Sequence, residues 1–128
     1  APAARARHVY SATGGQGSPF KQRLLARNRL AALVRCWPDA VLVRHLPRIV
    51  AYDALATAYG LMRGMPAIAA GRRDALRMWH LLLAQRRAIQ AGRTAPTSEL
   101  EGWLEPASMP WKAAAEQRWL ADILAERE

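Results

Sequence analysis

His8, Ser11, Thr13, the loop Gly14 to Ser18 and the adjacent pair Arg27 and Asn28 are the residues of this chain whose types and order could do chemistry. His8 stands in a polar, loop-like setting, where a neutral imidazole can ligate a metal or carry a proton. The loop "GGQGS" leads into a helix start, and its backbone N–H groups together with the nearby hydroxyls could surround phosphate oxygens. Arg27 is centred in an apolar stripe: Phe20, Leu24, Ala31 and Val34 fall at offsets of −7, −3, +4 and +7 from it, all on its own helical face. A guanidinium there must pair, snorkel or hold an anion, because burying it alone is costly.

Each of these has a plainer reading. A lone histidine does not define a metal site, which needs several donors. The glycine loop lacks the Lys-Ser/Thr of a Walker loop and does not fit the dinucleotide fingerprint. His45 and His80 lie in helical runs beside Leu46 and Leu81 and read as ordinary packed or surface histidines. Cys36 is the single cysteine, so the chain has no internal disulfide and no cysteine-based zinc site; it reads as a half-buried thiol. No Asp-x-Asp, no G-x-S-x-G elbow and no Cys/His nucleophile arrangement occurs, and only Asp39, Asp53 and Asp74 precede residue 99. As a complete enzyme the chain has no obvious general base.

The elements that must hold these residues are helices. "HVYSAT" reads as a short extended piece before the glycine loop. Ser18 and Pro19 are an N-cap and a first helical residue, and Pro38 should stop that helix near Cys36. Asp39 can cap a second segment, which Pro47 kinks or restarts and Gly64 and Pro66 punctuate. One long third helix is expected from about Ala67 to Ala91, with Leu76, Trp79, Leu83 and Ile89 in the core and Gly92 as its stop. Ser98 and Glu101 have capping-box spacing, and a last helix begins near Pro110. The expected fold is mostly α: several amphipathic helices after a short polar, partly extended N-terminal loop. The expected division is a polar seam over 1–18, a basic amphipathic helical region over 19–93 and an acidic linker with helices over 94–128.

Charge separates those regions. Residues 1–93 carry 16 Lys and Arg against 3 Asp and Glu, a net of +13, and residues 94–128 carry 3 against 7, a net of −4. A field of that sign over 1–93 favours phosphates, whether in nucleic acid, lipid headgroups or a nucleotide, and the acidic tail could fold back and offset part of it. The hydrophobic fraction of 52% and five tryptophans exclude a wholly disordered chain. No uncharged run approaches the roughly 18 to 20 residues of a spanning helix.

Taken in order, "RHVYSATGGQGSPFKQRLLARNRLAALVRCWP" resembles the C-terminal region of bacterial family 2 glycosyltransferases of the rhamnosyltransferase-like kind. Such regions show a histidine, a Ser/Thr stretch, a Gly/Ser loop and an amphipathic helix with an Arg-Asn pair. The "LP" at 46–47, the "RG" at 63–64 and "RRAIQAGR" are similar to the tails of those enzymes. The resemblance implies an upstream GT-A catalytic domain that binds a nucleotide-sugar and a divalent metal, Mg or Mn. It places His8 at the metal–diphosphate and Ser11, Thr13, Ser18, Arg27 and Asn28 near the donor diphosphate or the acceptor's entrance. The metal motif, the acidic base and the nucleotide-binding strands of that family are not in this sequence, so the isolated chain is expected to be inactive and to hold no cofactor.

The implied function is a helical, membrane-associating region of an enzyme that transfers sugar to a lipid-linked or polysaccharide acceptor. The implied place is cytoplasmic, peripheral on the inner face of the bacterial membrane, where arginine-bearing amphipathic helices meet an anionic surface. Two other classes compete. A basic helical nucleic-acid module is disfavoured, because no helix-turn-helix spacing or RNA-binding signature appears and the arginines fall on several faces. A helical oligomerisation domain would use the tryptophans as anchors in a homo-oligomer.

Overall fold

The computed structural model describes residues 17–104 and 108–125. Over these the chain forms six helices: α1 (Pro19–Cys36), α2 (Asp39–Met62), α3 (Ala67–Arg77), α4 (Trp79–Ala91), α5 (Thr97–Gly102) and α6 (Pro110–Ala125). No strand occurs among the described residues, and the fold is mostly α as the periodicity requires. The expected extended piece of the N-terminal loop lies outside the described residues.

α1 starts and stops on local chemistry. The Ser18 hydroxyl accepts the Lys21 N–H at 3.2 Å, Pro19 occupies the first turn, and Gly17 precedes the cap at φ +71°. At the other end Pro38 has no N–H to offer Val34, and the last carbonyls of α1 are left without intrahelical donors. α4 supplies them. Arg86 donates to the Val34 and Trp37 carbonyls and, at 2.5 Å, to the Asp39 carboxylate. The Gln90 amide donates to the Arg35 and Cys36 carbonyls, both at 3.1 Å. Part of "RRAIQAGR" is thus a cap for a helix some fifty residues earlier in the chain.

α2 runs through Pro47 rather than restarting there. The bond from residue 47 to the Val43 carbonyl is lost, and Val43 is exposed, so water can satisfy that oxygen. The helix ends in a Schellman turn: Met65 N–H reaches the Gly60 carbonyl at 2.8 Å and Gly64 N–H the Leu61 carbonyl at 3.0 Å. Gly64 sits at φ +68°, a left-handed position that a side chain would strain.

Four expectations need correction. The single helix from Ala67 to Ala91 is two, broken at Met78 with φ −88° and ψ 8°, although no glycine or proline marks the break. Its core register is also displaced. Ala75 and Leu82 are buried, whereas Leu76 is 65% exposed and Trp79 and Ile89 are exposed too. The capping box does not form, because Pro96 takes the cap position with Ser98 already inside α5, and Glu101 instead accepts a hydrogen bond from Arg44 at 2.5 Å. Cys36 is exposed rather than half-buried.

The tight packing is α1 against α3 and α4, whereas α2 meets α3 more sparingly and also touches α6. α1 and α3 cross where their residues are smallest. A Cβ on Gly71 would lie 2.2 Å from the Arg23 carbonyl oxygen and 3.0 Å from the Ala26 Cβ, so the two backbones meet there. Arg23 closes this crossing by pairing with Asp74 at 2.5 Å. The buried apolar set among the described residues is small: Ala26, Ala31, Val41, Ala75 and Leu82.

Candidate functional site

That small core leaves an open apolar groove of about 690 Å³ between α2 and the α1–α3–α4 unit. α2 contributes a continuous stripe at helical spacing, including Leu42, Leu46, Ile49, Val50, Asp53 and Thr57. Facing it are Leu30, Leu33 and Val34 of α1, Arg72, Ala75 and Leu76 of α3, and Trp79 and Leu82 of α4. Leu46, Val50, Leu61, Leu76 and Trp79 line the groove and are nevertheless exposed. The stripe that would normally bury itself against a neighbour is therefore still wet.

Three charged side chains tie the walls together. Asp53 of α2 is buried, and its two carboxylate oxygens are divided between two arginines. Arg72 of α3 approaches one oxygen through Nε at 3.0 Å and its terminal nitrogen at 2.8 Å; Arg29 of α1 donates to the other. Arg29 also stacks its guanidinium over the Tyr52 ring, 4.5 Å from the centroid. Burying a carboxylate is tolerable only with such partners, and the pairing fixes α2 relative to α1 and α3. One carboxylate between two guanidiniums leaves one positive charge uncompensated. Asp53 and Arg72 line the groove and Arg29 does not; the Arg72 nitrogens are taken by Asp53 and the Ile68 carbonyl, and the more exposed guanidinium of the cluster is that of Arg29.

Asp53 was legible by the argument already applied to Arg27. It lies three and four residues after Val50 and Ile49, centred in the apolar stripe of α2, where a charge demands a partner. Nothing in the spacing of Arg29 or Arg72 points to Asp53, because the three come from different helices.

The residues singled out for chemistry are not all brought together here. His8, Ser11 and Thr13 lie outside the described residues. Ser18 caps α1. Arg27 is half-buried and donates from Nε to the Asn28 side-chain oxygen at 3.1 Å. Neither Arg27 nor Asn28 lines the groove, although Arg27 stands one helical turn before Leu30 and Ala31. His45 packs edge-on against Trp37, with ring centroids 5.9 Å apart, and His80 is exposed. Among the described residues no group of three or more His, Cys, Asp and Glu could hold a metal ion. They therefore offer no ligand set for the divalent ion that the resemblance implies. The carboxyl of Asp74 is held below the ordinary carboxylate range, first by its hydrogen bond from Arg23.

The arrangement is a set of packed helices with an open, apolar groove that has the Asp53–Arg72 pair in its lining. Comparison of the chain with protein-family models, with curated proteins and with solved structures returns no match.

Proposed function

We propose that this chain is a helical region by which a sugar-transferring enzyme of the family 2 glycosyltransferase type sits peripherally on an anionic membrane face, the cytoplasmic one in a bacterium. The observation that carries the membrane part is exposed apolar surface set in a basic field. Leu46, Val50, Leu61, Leu76 and Trp79 line one groove and are exposed, and residues 1–93 carry a net charge of +13. Apolar exposure of that kind marks a binding surface. No helix among the described residues is long and apolar enough to cross a membrane, which suits attachment from one side. The ordered set His8, Ser11 to Thr13, Gly14 to Ser18 and Arg27-Asn28 supports the enzyme part.

Co-sedimentation with vesicles tests the membrane reading. The chain should bind vesicles containing anionic lipid in preference to neutral ones, and salt should weaken that binding, since each basic residue near the surface contributes about 1 kcal/mol. Equal binding to neutral and anionic vesicles at low salt, or preferential retention by DNA or RNA, would overturn it. The enzyme reading is tested in the parent protein: His8→Ala should lower metal-dependent transfer by about 10- to 100-fold, as loss of a supporting group at a metal site does. Full transfer by that variant would remove His8 from the donor site.

A further inference from the structure

We infer that α5 is an electrostatic latch: its Glu101 occupies Arg44 of α2 in the free protein, and the phosphates of an anionic lipid surface take its place on binding. This rests on the membrane reading above and adds its regulation, an internal acidic segment that competes with lipid for the same arginine.

Charge, rather than apolar packing, seats α5. The helix has six residues and none of them is buried, so burial contributes little to holding it. A helix of that length does not persist in water unaided. Two arginines fix it instead. Arg93 donates to the Ala95 carbonyl at 2.9 Å and to the Thr97 hydroxyl at 3.3 Å, which folds the linker between α4 and α5. Arg44 then donates to Glu101 at 2.5 Å and ties α5 to α2. The Arg44 side chain is 65% exposed and that of Glu101 33%, so water and ions reach the pair. A pair of this exposure shifts an equilibrium by at most about fivefold, which a surface carrying many phosphates can outbid.

The surroundings of Arg44 favour a lipid surface as the competitor. Arg48 stands one helical turn further along α2, and Val43 and Pro47 lie beside the two arginines; all four are exposed. Cationic and apolar side chains intermixed on one helix edge suit the boundary between headgroups and hydrocarbon. The rest of the segment works against the same partner. Residues 94–128 carry a net charge of −4 and residues 1–93 one of +13, so the segment repels what the preceding helices attract. A lipid surface that reaches Arg48 meets Arg44 and, with it, Glu101.

Partition onto vesicles of equal parts phosphatidylglycerol and phosphatidylcholine provides the test, on the full chain and with pure phosphatidylcholine vesicles as the reference. Glu101→Gln frees Arg44 and should tighten binding to the anionic vesicles about three- to fivefold. Glu99→Gln is the control. It removes the same charge from an exposed position on α5, leaves the Arg44 contact in place, and should tighten binding less than about twofold. Arg44→Gln should cost about fivefold in the Glu101→Gln background, where the arginine is free for lipid, and under about twofold by itself. All these proteins should melt with the wild type, as surface variants do. Equal gains from Glu99→Gln and Glu101→Gln, or additive effects of Arg44→Gln and Glu101→Gln, overturn the latch and leave the membrane reading standing. Tighter RNA binding by Glu101→Gln with unchanged vesicle binding overturns it as well. So does loss of cooperative folding in Glu101→Gln, because α5 would then be part of what holds the fold. Indifference of wild type and Glu101→Gln alike to lipid charge overturns the membrane reading and the latch together.

Discussion

α1 and α2 are both long amphipathic helices, yet they meet the rest of the molecule by opposite means. α1 is packed at backbone distance against α3, where Gly71 admits the Arg23 carbonyl, and its C-terminal carbonyls are capped by Arg86 and Gln90 of α4. α2 stands off across a wet apolar groove and is tied in by Asp53 and its two arginines. Small residues let one pair of helices approach until dispersion and hydrogen bonds hold it, whereas a buried charge cluster ties α2 to its neighbours across a gap. One side of the molecule is thereby finished by folding. The other is left with apolar surface to be covered by something else.

The largest expected effect strikes the cluster. Asp53→Ala leaves Arg29 and Arg72 facing each other with no anion between them, and breaking a buried ion pair from one side costs about 3–5 kcal/mol. That is a large share of the roughly 5–15 kcal/mol that holds a domain together. Chemical denaturation should show the loss, and a drop under about 1 kcal/mol would mean that the cluster behaves as an exposed pair and α2 is held by other contacts.

Gly71→Ala attacks the tight side. Its methyl would sit 2.2 Å from a backbone oxygen that cannot rotate away, so α1 and α3 must part. Overpacking of this kind costs about 1–3 kcal/mol, occasionally more. Gly60→Ala is the matching control, since its methyl would meet only the end of the Ile68 side chain, at 2.8 Å, and that side chain can move. If both changes cost the same, the backbone contact between α1 and α3 is not what makes that side rigid.

How much of this contrast the sequence discloses follows from how local each signal is. The bounds of α1 are readable because Ser18, Pro19 and Pro38 act on their own neighbours. The turn at Gly64 is readable for the same reason. The break at Met78 is not, because no residue there forbids helix; the chain turns between buried Ala75 and buried Leu82, in two helices that both pack on α1. The same displacement explains why Leu76 and Trp79 look like core in a straight helix and instead line a groove. Ser98 and Glu101 have the spacing of a capping box, but Arg44 claims Glu101 from another helix. Of the candidate site, Arg27 and Asn28 are flagged by local pattern and share one hydrogen bond, from Arg27 Nε to the Asn28 side-chain oxygen. Asp53 carried an equally local flag, but its partners are 24 and 19 residues away and periodicity does not register them.

A smaller effect depends on pH. Asp74 sits at the α1–α3 crossing with its folded pKa depressed by the hydrogen bond from Arg23. A carboxylate held down in the folded state contributes stability above its unfolded pKa, near 4, and loses it as pH falls through the lower folded value. The wild-type protein should therefore lose stability below about pH 4 more steeply than Asp74→Asn, and the two should be parallel at neutral pH. Parallel curves throughout the acid range would show that Arg23 and Asp74 contribute nothing to holding the crossing.

The smallest effect is expected where the groove is open. Val50 lines it and is 59% exposed, so folding leaves its side chain largely in water. Val50→Ser removes two methyl groups from a helix position where the two residues have similar helix propensity, so no backbone penalty confuses the measurement. Stability should stay within about 0.5 kcal/mol of wild type, as for a surface change. Leu82, across the groove in α4, is 2% exposed, and Leu82→Ala should cost about 2–5 kcal/mol. If Val50→Ser destabilises the free protein as much as a core truncation does, α2 closes onto α1 in solution. The groove would then be ordinary core, and the difference between the two helices would vanish.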